Sequence, residues 1–399
     1  MNHVRFCILG AGPAGLAFAT ALNEAKCDSF VLLEKEAEAG GLCRSASVDG
    51  APLDIGGGHF LDVCRPQVLD HVFRYLPRGE WREFQRKTTI RLRGIEVDHP
   101  LEGNLWQLPL AEQLDFVESI ACAGSAQGTP EPATFDAWIR WKLGERIAEE
   151  YMLPYNRKLW SVPLAELGVD WLHKLPAVSF RETLRSLVER QAGGTLPAHG
   201  CFLYPRAHGY GEVWRRMAAS LGERFVPCHE VRSIDLERRT VDDCVQAEVI
   251  VNTLPWSLWP DLTRLPDTVA AAIAKLVYTS LHVDYSPENL PSKAHWIYEP
   301  DERLPHHRLL LRHNFCARAR GHWLESNTRR SAPPADVRFT NPHAYPVSTR
   351  ERPRAIATVL AWARSRGILG LGRWGTWEHI NSDVAVERSV DAATQSLAR

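Results

Sequence analysis

Val4-Arg5-Phe6-Cys7-Ile8-Leu9-Gly10-Ala11-Gly12-Pro13-Ala14-Gly15 reads as an apolar strand running straight into a glycine turn. The small-residue pattern Leu16-Ala17-Phe18-Ala19-Thr20-Ala21-Leu22 follows as a helix, and a second apolar run, Phe30-Val31-Leu32-Leu33, ends on Glu34. Strand, turn, helix, strand and acid stand in the order that dinucleotide binding demands. Gly10 permits the tight turn, Gly12 lets a pyrophosphate approach the backbone, and Gly15 lets the helix lie close on the strand. The helix start offers free N–H groups to phosphate. Glu34 falls about 20 residues past the glycines, where a carboxylate accepts hydrogen bonds from ribose hydroxyls.

Around this stretch the chain has 399 residues, enough for two or three domains and a sizeable core. A hydrophobic share of 45% and a charged share of 24% are those of an ordinary soluble globular protein. The formal net charge of -1 provides no field to draw nucleic acid or an anionic membrane. Nine scattered cysteines without a C-x-x-C pair argue against a disulfide framework or a metal site, and for a reducing cytoplasm. The first strand begins almost at residue 1, leaving no room for a signal peptide, and no apolar run approaches a membrane span.

Two further glycine clusters stand out. Gly40-Gly41 is followed by Arg44, and Gly56-Gly57-Gly58 is followed by His59. Backbone without Cβ atoms suits close approach to a flat ligand. Downstream, 67–85 reads as helix and polar turn, and 89–98 as a β-hairpin. Residues 110–122 read as helix, and Thr134 as the cap of a helix running towards Tyr151. Strands are expected over 247–253, 277–285, 295–298 and 308–312. Residues 318–338 read as a charged surface loop, and 383–399 as a closing helix capped by Ser382 or Asn381. Strands and helices alternate only at the two ends, so the nucleotide domain is expected to be assembled from both. The expected boundaries are 1–85 for its N-terminal part, 86–200 for an inserted hairpin and helical domain, and 201–255 for a return. Residues 256–350 would form an antiparallel sheet, and 351–399 the C-terminal part.

Gly10-x-Gly12-x-x-Gly15, Glu34, Gly40-Gly41 and Arg44 resemble the opening of FAD enzymes of the amine-oxidase and phytoene-desaturase type. Gly57-Gly58-His59, Tyr155-Asn156-x-Lys158-x-Trp160-x-x-Pro163, Tyr204-Pro205-x-x-x-Gly209, Tyr345-Pro346-Val347 and Gly372-Arg373-x-Gly375-x-Trp377 narrow it. Together and in this order they resemble the UDP-galactopyranose mutase family. The resemblance implies an α/β fold: a Rossmann-type FAD-binding domain with an inserted helical domain and an antiparallel β-sheet substrate domain. It implies a nucleotide-sugar substrate at their junction, an electron donor, and a redox-neutral isomerisation in which N5 of reduced flavin is the nucleophile. Gly10, Gly12, Gly15, Glu34, Gly41, Arg44, Gly57, Gly58, Gly372 and Arg373 would hold FAD. Tyr155, Asn156, Trp160 and Tyr345 would bind substrate. Arg308 matches one diphosphate arginine. No arginine matches the second, for which Lys174 or Arg181 are the substitutes. His379 stands where the family has a tyrosine, and with His59 and Arg308 completes the expected catalytic set. The shared fold also permits a different chemistry, flavin-dependent removal of hydride from an amine, alcohol or polyene. A third class is a flavin-stabilised scaffold without chemistry, which a cavity plugged by side chains would favour.

Overall fold

The computed structural model describes residues 1–172, 175–194 and 200–398. Strand Asn2–Leu9 lies at the middle of a seven-stranded sheet, parallel to Phe30–Leu33 on one side and Val245–Asn252 on the other. Its last four residues are wholly buried, and their side chains alternate between two cores. Phe6 and Ile8 face helices Pro13–Glu24 and Ser382–Leu397, while Cys7 and Leu9 face Trp256, Trp259 and helix Arg352–Ser365. A strand covered on both faces reads as an unbroken apolar run, which is why this one is legible in the sequence. Phe225–Val226 extends the sheet beyond Phe30–Leu33, and Ile368–Gly370 adds to Val245–Asn252, both in parallel. The sheet therefore draws strands from three separated parts of the chain.

A second seven-stranded sheet runs in the order Arg338–Pro346, Tyr278–Ser286, His322–Asn327, His306–Leu310, Trp296–Tyr298, Thr88–Leu92, Ile95–Asp98. Its pairings are antiparallel except that of Trp296–Tyr298 with Thr88–Leu92. Helices Leu110–Ala121, Phe135–Ile147, Leu153–Trp160 and Phe180–Glu189 pack with one end of this sheet around a core of their own. The chain is therefore α/β with a Rossmann-type sheet, a helical region and a largely antiparallel sheet.

Five local expectations are corrected. Residues 81–85 form a strand rather than a turn, pairing with Cys201–Pro205 through a wholly buried Trp81. The helix expected from Thr134 to Tyr151 breaks at Gly144, where φ is +79° and a Cβ would lie 2.4 Å from the Ser119 carbonyl oxygen. Thr134 makes no capping bond; its hydroxyl donates to Asp136 at 2.7 Å. Neither Asn381 nor Ser382 caps Ser382–Leu397 with its side chain. The expected loop 318–338 contains the buried strand His322–Asn327, whose side chains are mostly polar and so show no hydrophobic signal.

Asp54, wholly buried at the end of the hairpin Ser45–Val48/Ala51–Asp54, ties the units together. It accepts from Ser45 Oγ at 2.5 Å, Tyr204 Oη at 3.0 Å and the Tyr210 amide at 3.2 Å. Burial pushes its carboxyl up to about 7.

Candidate active site

The expected dinucleotide cradle is built from backbone. Gly15 packs so closely that a Cβ would lie 2.0 Å from the Gly10 carbonyl oxygen. At Gly12 a Cβ would meet nothing within 4 Å, so open space stands over the backbone at the start of helix Pro13–Glu24. Glu34 Oε2 accepts from the Ala11 amide at 2.7 Å and Oε1 from the Glu36 amide at 3.0 Å. These bonds hold the carboxylate at the strand end with lone pairs to spare. Gly41 (φ +54°) approaches Gly12, and Gly372 (φ +69°) approaches Ala14, so three glycine segments converge on one surface. This shape fits a dinucleotide. Arg44 bonds the Gly41 carbonyl and Glu36 and lines a separate surface cavity.

Beyond the Gly57–Gly58 loop lies a cavity of about 620 Å³. Gly58, His59, Arg308, Tyr345, Arg373 and His379 are all in its wall. A smaller cavity of about 220 Å³ shares Arg308, Tyr345 and His379 and takes in Tyr155, Asn156 and Trp160. The two meet at Arg308.

Arg308 sits directly opposite Glu325 on neighbouring strands. Its Nε and Nη2 donate to Glu325 Oε2 at 2.9 and 2.5 Å, and Nη2 also reaches Tyr345 Oη at 3.3 Å. Glu325 is fully buried and accepts from the Gly58 amide through Oε1 at 3.1 Å. The carboxylate also explains Gly57: a Cβ there, at φ +90°, would lie 2.3 Å from Oε1. Tyr345 is a hub, with the Arg373 guanidinium 5.1 Å from its ring centre and His379 at 4.7 Å. Arg373 itself donates to the Ile380 and Ala344 carbonyls and has no carboxylate partner among the described residues. Burial lowers its pKa from the usual value.

His59 Nδ1 lies 3.0 Å from the Gly57 carbonyl oxygen. Burial, then the charge of Arg373, push its pKa down to about 3. The ring is therefore neutral at pH 7, Nδ1 carries the proton, and Nε2 is an acceptor. Asn156 has both ends of its amide engaged, donating to the Met152 carbonyl at 2.7 Å and accepting from Trp160 Nε1 at 2.9 Å. It thus fixes the Trp160 ring, which stands edge-on to Tyr345 and His379. Tyr155 stands edge-on to Tyr298 at 5.2 Å. Arg181 is exposed at the start of helix Phe180–Glu189 and is not in either cavity wall. Lys174 lies outside the described residues.

Sequence reading missed Glu325, Arg86 and Arg352. Arg86 stacks over Trp296 at 4.8 Å, and Arg352 pairs with Asp170; both line the larger cavity. None sits in a motif, and Glu325 was hidden in a segment read as loop.

Residues 8–76 match the family described as NAD(P)-binding Rossmann-like domain. Over 85 residues the chain is 35% identical to the "Uncharacterized protein in nifH2 3'region" of Methanothermococcus thermolithotrophicus, covering 20% of this chain and 78% of that one. The structure resembles reduced UDP-galactopyranose mutase with a TM-score of 0.89 at 22% identity, covering 99% of this chain and 94% of the other. Putrescine oxidase bound to putrescine is similar at a TM-score of 0.67 and 16% identity, covering 100% and 99%. A CLA-producing fatty acid isomerase from P. acnes is similar at 0.64 and 16% identity, covering 98% of both chains.

Proposed function

We propose that this chain, which belongs with the Methanothermococcus protein over their matched residues and has the fold of UDP-galactopyranose mutase, binds FAD and isomerises a nucleotide-activated sugar. The observation that carries this reading is Arg308, fixed where the two cavities meet. A guanidinium held in one geometry suits a diphosphate that leaves and returns. FAD would be held by Glu34, the backbone at Gly12 and Gly41, the Gly57–Gly58 loop and Arg373. When reduced, it supplies a nucleophilic nitrogen for the anomeric carbon. Arg373 contributes positive charge without a competing carboxylate among the described residues. His59 offers Nε2 as an acceptor for a sugar hydroxyl, and Trp160 and Tyr155 give apolar faces for rings. The test is anaerobic incubation of oxidised and dithionite-reduced protein with a panel of nucleotide sugars. Ring-size conversion by the reduced form alone, without consumption of reductant, is expected. Conversion by neither form across the panel would remove the reading.

The Arg308–Glu325 pair also favours a second reading, because Glu325 offsets the charge of Arg308. An arginine so neutralised suits hydride removal from an amine, alcohol or polyene by oxidised flavin. Bleaching of the oxidised protein by such a compound selects this reading.

A further inference from the structure

The smaller cavity contains a buried carboxyl that the proposed reaction leaves unused. Glu102, on the short turn Leu101–Gly103, is 7% exposed and lines the cavity without a side-chain partner among the described residues. Its own backbone amide is the one hydrogen-bond donor to this carboxyl among the described residues; a buried carboxyl so thinly partnered is costly, so its persistence points to a ligand that completes it. Trp138, Tyr151, Tyr155 and Trp160 supply aromatic surface around it. Lys142 lines the same cavity, and its charge reaches the carboxyl. Glu102 and Lys142 line only the smaller cavity, whereas Arg308 and Tyr345 line both. The slot thus runs from a guanidinium suited to diphosphate towards a carboxylate and an ammonium.

Resting on the nucleotide-sugar reading, we infer that Glu102 determines base specificity and selects guanine. Guanine presents N1–H and its amino group side by side to the two carboxylate oxygens, with O6 next to them for the Lys142 ammonium. Uracil has one N–H between two carbonyls, which would face the carboxylate directly. Adenine and cytosine each place a ring-nitrogen acceptor beside their amino group. A site built for hydrogen bonding rejects a ligand that leaves its buried group unpaired. Burial pushes the Glu102 carboxyl up to about 7, so the test is run at pH 8, where it is ionised.

Calorimetric titration of the flavin-loaded protein with GDP and with UDP decides the matter. GDP is expected to bind at least about tenfold tighter than UDP. Glu102→Gln is expected to cut GDP affinity at least about tenfold while changing UDP affinity less than about threefold. Flavin content and melting temperature establish that the variant is folded; should it not fold, the wild-type GDP/UDP ratio decides alone. UDP binding as tightly as GDP, or equal losses for both in the variant, would overturn the inference and leave the nucleotide-sugar reading standing. Failure of every nucleoside diphosphate to bind wild type would overturn both.

Discussion

A guanidinium can serve an anion only with the charge it has left. Arg308 shares its charge with a carboxylate that is itself fully buried. Arg308→Ala should therefore weaken nucleoside diphosphate binding by roughly 10- to 100-fold at unchanged flavin absorbance, a contribution of about 1.5–3 kcal/mol. Calorimetry on the flavin-loaded variant checks this; unchanged affinity for every diphosphate would take Arg308 out of the site. Glu325→Ala should cost stability, by about 3 kcal/mol, because it strands a mostly buried cation and an amide donor. A lower urea midpoint is the readout. Glu325→Gln should retain the shape and raise diphosphate affinity, since Arg308 then presents its whole charge.

Helix Pro13–Glu24 gives the sharpest contrast between two glycines. Gly15 is pressed against backbone that cannot move aside, whereas Gly12 faces open space. Gly12→Ala should fold normally, with a melting temperature near wild type in flavin-free protein, yet lose most bound flavin. Gly15→Ala should lower the melting temperature of the flavin-free protein as well. Absorbance near 450 nm relative to 280 nm, and thermal scans of stripped protein, separate the two. The same helix was legible from sequence because Gly10, Gly12 and Gly15 each answer a backbone requirement. Strand His322–Asn327 was not, because its burial is met by cross-strand partners and hydrogen bonds rather than by apolar side chains. Glu325 looks like a surface charge until Arg308 is seen opposite it. Arg308, His59 and Tyr345 were found through their motifs. Arg352 and Glu102 depend on distant segments arriving at one cavity, which no local pattern encodes.

For the molecule as a whole, Asp54 makes stability depend on pH. Its folded value of about 7 lies above the ordinary carboxylate value of 3.8, so the native state retains a proton that the unfolded chain releases. Its stabilising contribution is complete below the unfolded value and is lost as pH rises towards 7. The melting temperature of wild type relative to Asp54→Asn should fall between pH 5 and pH 7.5 and level off above. A difference that grows over that range would contradict the assignment. Among the described residues no helix is long and apolar enough to cross a membrane. The parallel sheet, finally, places Ile368–Gly370 beside Val245–Asn252, which itself lies beside Asn2–Leu9. A chain leaving the ribosome at about 5–20 residues per second must wait roughly 20–70 s after its first strand emerges before this last one is made. Until then Gly372 and Arg373 have not been synthesised, and the nascent protein has a cradle with one wall missing. A chain cut short of residue 368 cannot finish the sheet.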